Sequence, residues 1–211
     1  IVSSTARATV TGQDTTREMR GLADPLLRLA VNLKGGPARS RAQLAGVRFG
    51  TIVGASLSVV LPLGQYDTDR YLNLGANRWS FKPELGLVQP ISPKWALEGY
   101  LGVWLFGENT EFVNSATVRQ DPLWTLQGHL IRIVGRRGYL ALDGTVVRGG
   151  TSEVDGVELN NFQENARFGA TTAWSVGRGH TIKAVFSTGV LTRAGGDFDL
   201  FSVAYQYSWG R

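Results

Sequence analysis

The most informative stretch of the chain is Phe201-Ser202-Val203-Ala204-Tyr205-Gln206-Tyr207-Ser208-Trp209. Large apolar or aromatic side chains occupy every odd position, and small or polar ones occupy every even position. Because successive side chains of a β-strand point to opposite faces, this strand has one bulky face and one polar face. The bulky face suits either the core of a soluble β-sandwich or the hydrocarbon of a membrane, where the terminal aromatic rings would lie at the interface.

Composition restricts the class of protein. Only 18% of the 211 residues are charged, Gly is abundant at 27, and Cys is absent. No run approaches the roughly 20 consecutive apolar residues of a membrane-spanning helix, which excludes a helical membrane protein. The lack of Cys excludes disulfides, thiolate catalysis and most structural zinc sites, and we predict no metal and no cofactor. The net charge of +5 comes from scattered Lys and Arg, so no nucleic-acid partner is predicted.

The same alternation recurs along the chain and predicts an all-β protein. At about 9 to 14 residues, these strands are longer than the five or six residues usual in globular proteins, and they match the length that crosses a membrane at a tilt. We predict about ten strands, at 1–10, 24–34, 50–62, 77–90, 95–107, 122–135, 139–150, 163–176, 181–194 and 198–210.

The connections between these strands alternate in length. Tight turns at 91–94, 135–138 and 177–180 alternate with polar loops at 63–76, 108–121 and 151–162. Short turns on one side and long loops on the other are typical of outer-membrane barrels, in which the short turns are periplasmic. The segment 34–49 is the exception, because it is long yet falls on the short-turn side. Ser40 is a candidate N-cap, which predicts a helical turn on the periplasmic rim.

Assignment of faces by a period of two predicts a transmembrane antiparallel up-and-down β-barrel with an apolar outer belt. Aromatic side chains would form its membrane girdle: Trp79, Trp95, Trp174, Tyr205, Tyr207 and Trp209. The opposite face would line the lumen: Arg28, Lys82, Glu84, Glu98, Tyr100, Trp104, Gln127, His129, Asp143, Arg167 and Lys183. Opposite charges in a narrow barrel would pair, so a salt-bridged, partly filled interior is as compatible with this set as a substrate-lining role.

Several motifs resemble one family. They are GLADPLLRLAVNL at 21–33, LPLGQYD at 61–67, NLGANRWSFKPE at 73–84, QDP at 120–122, QGHL at 127–130, LDGT at 142–145, STGV at 187–190 and GGDF at 195–198. They are similar to the outer-membrane channel family of Gram-negative bacteria named for the meta-pathway (MetA-pathway) of phenol degradation. The resemblance runs from about Gly21 to Arg211. It implies a twelve-stranded barrel that moves small, often aromatic or hydrophobic, catabolic substrates across the outer membrane.

On that resemblance, residues 1–211 are one barrel domain whose N-terminal strands are missing, with 1–10 as the end of the third strand. We therefore expect an outer-membrane channel for passive diffusion of small, hydrophobic or aromatic substrates, without catalysis. The expected partners are membrane lipids, lipopolysaccharide and small solutes, and the expected state is a monomer. Inward-facing Tyr100, Trp104 and Phe106 are either filler or a path for aromatic solutes.

Two alternatives stay open from the sequence. The first is a barrel with a plugged lumen that is structural or acts as a hydrolase at its lipid face, in which His129 would be the base. No Gly-x-Ser-x-Gly elbow supports such a hydrolase. The second alternative is a soluble lipid-binding barrel.

Overall fold

The computed structural model of the chain describes residues 2–10, 13–36, 50–195 and 197–209, and these residues are mostly β-strand. The helical turn expected near Ser40 lies outside the described residues. Within the described ranges, no helix has the length and apolar character needed to span a membrane. The strands are β1 (Val2–Val10), β2 (Gln13–Gly21), β3 (Leu26–Lys34), β4 (Ile52–Val60), β5 (Ser80–Ser92), β6 (Trp95–Phe106), β7 (Asn109–Phe112), β8 (Ala116–Gln120), β9 (Leu123–Val134), β10 (Gly138–Gly149), β11 (Ser152–Val154), β12 (Val157–Glu158), β13 (Gln163–Gly177), β14 (His180–Leu191) and β15 (Leu200–Tyr207).

Nine long strands form one antiparallel sheet in the order β15-β14-β13-β10-β9-β6-β5-β4-β3. Each long strand pairs with the long strand next to it in sequence, which is the up-and-down arrangement that the alternating connections predicted. Among the described strands β3 and β15 are the edges, so the sheet is open rather than closed into a barrel. The predicted all-β, antiparallel up-and-down arrangement is confirmed.

The ten predicted strands are all present, and the structure adds β2 between the first two. Strand β2 pairs with β1 in a separate two-stranded sheet, from Val2 opposite Gly21 to Val10 opposite Gln13. Its sequence, QDTTREMRG, contains a single large apolar residue, Met19. Because alternation of apolar residues is the signal by which a strand is recognised, this strand was not predicted.

Two of the predicted long loops also contain strands. Strands β7 and β8 come from the loop after β6, β11 and β12 come from the loop after β10, and together they form a four-stranded outer sheet in the order β12-β11-β8-β7. The two loops meet through β8 and β11, with Arg119 opposite Glu153. Residues from two loops far apart in sequence therefore build one small sheet beyond the ends of the long strands.

The third long loop, 61–76, is tied to the start of β3 by Asp24. The Asp24 carboxylate accepts a hydrogen bond from Gly64 N at 2.8 Å and another from Ala76 N at 2.7 Å. A Cβ on Gly64 would lie 2.7 Å from Asp24 N, so only glycine permits this close approach. The Asp24 carboxylate thus joins three of the sequence motifs, those at 21–33, 61–67 and 73–84. This contact gives a structural reason for the aspartate in the first motif and the glycine in the second.

The apolar side chains lie on the exposed face of the sheet. In β5, Phe81, Leu85 and Leu87 are exposed, whereas the even-numbered Ser80 and Glu84 are buried or half-buried. Among the described residues the buried hydrophobic ones are small, Ala141 and Ala173. A soluble sandwich would bury its large side chains between sheets. A sheet that exposes leucine, phenylalanine and tryptophan on one face instead requires a hydrocarbon environment.

Candidate functional site

The polar face of the sheet carries an open cavity of about 290 Å³, called the central cavity below. Side chains from seven of the nine long strands reach it, from Arg28 on β3 to Lys183 on β14. Since strands near both edges of an open sheet line a single cavity, the sheet is rolled and its polar face is concave. The central cavity is lined by Arg28, Glu84, Glu98, Tyr100, Gln127, His129, Ile131, Tyr139, Ala141, Asp143, Thr171 and Lys183.

One side of the central cavity carries a charge cluster centred on Glu84. Arg28 Nη2 donates to Glu84 Oε1 at 2.9 Å and to Ser56 Oγ at 3.1 Å, and Lys82 Nζ donates to Glu84 Oε2 at 2.6 Å. The Lys82 and Glu84 side chains are only 12% and 10% exposed. The strand register brings these residues together. Ser56 and Ser58 of β4 lie opposite Glu84 and Lys82 of β5, respectively. On the other side of β4, Arg28 of β3 lies opposite Ser58. The expected pairing of opposite charges occurs here.

The other side of the central cavity carries a hydrogen-bonded row that starts at His129. Its Nδ1 lies 2.7 Å from Asp143 Oδ1, and Thr171 Oγ1 donates to Asp143 Oδ2 at 2.6 Å. The rings of Tyr100 and His129 meet edge to face with centroids 5.8 Å apart, and the Tyr100 hydroxyl donates to Glu98 at 3.1 Å. The Tyr100 ring also lies against Gly86, where a Cβ would be 2.8 Å away.

Two further inward aromatic residues of β6 lie nearer its outer end, the end that carries the long loops, and each has a cationic side chain over its ring. Trp104 and Phe106 stack with centroids 6.5 Å apart. Lys82 Nζ lies 5.8 Å from the Trp104 ring centroid, and Arg78 Cζ lies 4.7 Å from that of Phe106. Burial lowers the pKa of Arg78, whose guanidinium also hydrogen-bonds Gln120. The aromatic row is therefore lined by cations as well as by hydrocarbon, which sequence reasoning did not foresee.

The predicted lumen residues fall into three groups in the structure. Arg28, Glu84, Glu98, Tyr100, Gln127, His129, Asp143 and Lys183 line the central cavity. Lys82 and Trp104 lie beside it toward the outer end. Arg167 instead holds the last long connection, because Nη2 donates to the carbonyl of Phe198 at 2.6 Å and the guanidinium lies over the Phe198 ring at 4.0 Å.

Sequence reasoning missed four lining residues, Ile131, Tyr139, Ala141 and Thr171. Thr171 and Ala141 have the same parity as predicted lumen residues on their strands, so the period of two was a sufficient signal. Tyr139 and Ile131 likewise share the parity of Asp143 and His129 on their strands, so the same signal was available for them. Among the described residues, no group of His, Asp and Glu has the geometry of a metal site.

The predicted girdle residues differ in exposure. Trp79, Trp174, Tyr205, Tyr207 and Trp209 are all exposed, with Trp209 the most open at 83%. Trp95 is half-buried, and Arg132 Cζ lies 5.0 Å from its ring centroid. Trp124 is also exposed and faces outward on β9, although the sequence did not assign it to the girdle.

An antiparallel up-and-down sheet with a lipid-type outer face and a charged concave face defines an outer-membrane β-barrel protein. The chain belongs to the family described as "Putative MetA-pathway of phenol degradation", whose model matches residues 2–207. Its fold is similar to the crystal structure of an outer-membrane channel from Pseudomonas putida F1, with a TM-score of 0.76 and 22% identity over 90% of this chain and 67% of that chain. No curated protein matches the sequence significantly.

These findings confirm the suspected family and the outer-membrane fold. The predicted location, the bacterial outer membrane, is confirmed with them. At 22% identity the structural likeness establishes the fold and not the solute.

Proposed function

We propose that the chain is an outer-membrane channel through which small, hydrophobic or aromatic molecules diffuse passively, without catalysis. The observation that carries this proposal is the central cavity, which seven strands line with mixed charges and aromatic rings. A face of this composition keeps water inside a rolled sheet, and water-filled space permits passive passage. An open, substrate-lining interior is therefore preferred over a plugged one.

The preference for aromatic solutes rests on the rings along the inner side of β6. Tyr100, Trp104 and Phe106 lie on one face, and Lys82 and Arg78 lie next to the outer two rings. Ring edges offer contacts to flat apolar solutes, and adjacent cations attract a carboxylate. Aromatic acids combine both properties, so they are the proposed substrate class.

The test is permeation through protein reconstituted in vesicles. Trp104→Ala is expected to change the uptake rate of an aromatic acid such as benzoate several-fold more than that of an aliphatic acid of similar size. Trp174→Ala is the matched control, because Trp174 is an exposed tryptophan on the outer face. Equal effects of Trp104→Ala on both solutes would contradict the aromatic preference. Absence of ion conductance in planar bilayers would contradict the channel itself.

A lipid-face hydrolase is the alternative that one observation favours, namely the contact between His129 Nδ1 and Asp143 Oδ1. Such a contact orients a general base in hydrolases. However, no serine or threonine hydroxyl in the described part of the chain hydrogen-bonds His129, and its site opens to the concave face rather than to lipid. Esterase activity of the pure protein that disappears in His129→Ala would establish this alternative.

A further inference from the structure

Four side chains form a polar row on the outward face, near the end that carries the long loops. The register places Trp124 opposite Arg148 and Arg148 opposite Glu164. Arg193, just beyond the end of β14, reaches the same Glu164. We call Trp124, Arg148, Glu164 and Arg193 the outer row. Trp124, Arg148 and Glu164 have the parity of exposed Leu126, Val146 and Phe168 on their strands, so they face outward and not toward the central cavity, and Arg193 joins them through Glu164.

The outer row has more positive than negative charge. Arg148 Nε lies 3.8 Å from Glu164 Oε1, and Arg193 Nη1 lies 3.4 Å from Glu164 Oε2. Two guanidinium groups thus share one carboxylate at distances longer than a good charge-assisted hydrogen bond. The Arg148 and Arg193 side chains are 70% and 55% exposed, which leaves several N–H donors directed at solvent.

The position of the outer row relative to the apolar belt is also defined by the register. Leu126 is the next residue after Trp124 on the same face of β9, further from the outer end. It lies opposite both Leu101 and Val146, and all three side chains are exposed. The change from an unbroken apolar row to a charged row marks the upper boundary of the hydrocarbon. Trp124, 54% exposed, lies at this boundary, where the indole ring suits an interface.

We propose that the outer row binds a phosphate group of lipopolysaccharide, the phosphorylated glycolipid of the outer leaflet. Two arginines at the upper boundary of the belt complement a phosphate whose acyl chains lie against Leu126 and Val146. Trp124 packs against the sugar or the first methylenes of the same lipid. The proposal rests on the outer-membrane location and is independent of what passes through the channel.

The opposite end of β9 supplies a matched comparison. Arg132 is outward-facing and lies opposite Trp95, and its guanidinium covers the Trp95 ring at 5.0 Å, much as the guanidinium of Arg193 covers the Phe162 ring at 5.1 Å. It lies at the short-turn, periplasmic end, where the leaflet contains no lipopolysaccharide. Arg132→Ala therefore removes one outward arginine beside a tryptophan without touching the outer row.

The experiment is native mass spectrometry of the detergent-purified protein titrated with bisphosphorylated lipid A. Arg148→Ala/Arg193→Ala is expected to weaken lipid A binding by about tenfold or more, since each lost charge-assisted contact to phosphate accounts for roughly that factor. Glu164→Gln is expected to strengthen binding, because it removes the carboxylate that competes with phosphate. Arg132→Ala is expected to bind like the unaltered protein.

Four outcomes would overturn the proposal. One is unchanged lipid A binding in the double variant, and another is an equal loss in Arg132→Ala. The third is equal binding of lipid A whose phosphates have been removed, which would reduce the contact to the apolar belt alone. If inorganic phosphate displaced lipid A at comparable concentration, the row would be a simple anion site and the lipid assignment would fail. Should the double variant not fold, Glu164→Gln and Arg193→Gln measured singly still decide the question through their opposite signs.

Discussion

Two of the ion-pair clusters in the described part of the chain have similar chemistry but different surroundings. On the concave face, Glu84 receives Arg28 and Lys82, and its side chain is 10% exposed. In the outer sheet, Arg119 binds Glu108 at 2.7 Å and Glu153 at 3.3 Å, and the Arg119 and Glu108 side chains are 53% and 52% exposed. One cluster is built around a carboxylate and the other around a guanidinium, and each joins strands that are distant in sequence.

The difference in burial changes what each cluster contributes. Exposed ion pairs contribute little because water and salt screen them. A largely buried carboxylate between two cations is different, because its removal leaves both cations without a counter-charge at the wall of the central cavity. Ion pairs of similar geometry therefore stabilise the nine-stranded sheet strongly but add little to the stability of the outer sheet. Variants at three levels of burial test this comparison.

The largest effect is expected at Glu84. Glu84→Gln leaves Lys82 Nζ and Arg28 without their carboxylate, and the free energy of unfolding should fall by about 3 kcal/mol, the lower end of the range for a broken buried pair because Arg28 is half exposed. Urea unfolding in vesicles, followed by tryptophan fluorescence, measures the change.

A paired variant serves as the control for Glu84→Gln. Adding Lys82→Met removes the stranded ammonium group, so stability should return in part. If Glu84→Gln is as stable as the unaltered protein, the cluster is hydrated and the contrast with the outer sheet disappears.

An intermediate effect is expected at Asp24, which is half-buried and binds two backbone N–H groups. Asp24→Ala removes both bonds and should lower the free energy of unfolding by about 2 kcal/mol. Loss of protection from proteolysis should be confined to the 61–76 loop, and limited digestion with mapping of the cut sites measures it. Asp69→Ala, an exposed acid in the same loop, is the control and should leave the digestion pattern unchanged. Cleavage elsewhere in the sheet would contradict a local role for Asp24.

The smallest effect is expected at Arg119. Arg119→Ala should leave the unfolding midpoint unchanged and only reduce amide protection in β8 and β11, as measured by hydrogen exchange.

Hydrogen bonding by Arg119, together with its charge, lowers the pKa of Glu108. A carboxyl group with a lowered pKa stabilises the fold above its unfolded pKa and loses that contribution as the pH falls through the folded value. The difference in amide protection between the variant and the unaltered protein should therefore shrink as the pH falls below the usual range of a glutamate carboxyl. A large change at neutral pH would show that exposure does not weaken the pair.

The long strands of the sheet were predictable because every one of them carries the period of two. Strand β2 was not, since QDTTREMRG has no apolar face to alternate. The outer sheet was missed for another reason. Strands of two to five residues are too short to show a period, and β8 pairs with β11 only because the large sheet brings two loops together.

The membership of the candidate site was largely predictable, whereas its contacts were not. Parity alone is enough to place Arg28, Glu84 and His129 on the polar face of their strands. The carboxylate that each cationic side chain pairs with depends on the register between strands. Arg28 and Glu84, for example, are 56 residues apart in sequence. Arg167 shows the limit of parity, because an inward side chain that binds the Phe198 carbonyl supports a loop and does not line the central cavity.

The sequence by itself determined the element type and the two faces of each strand, because alternation is a local property that each strand carries alone. The stretch from Phe201 to Trp209 contains that information, and the exposed apolar face of the nine-stranded sheet then identified hydrocarbon as its surroundings. The tertiary structure alone decided the partners of Glu84, of Asp24 and of the outer row. Register and curvature set those distances, and both are properties of strands acting together.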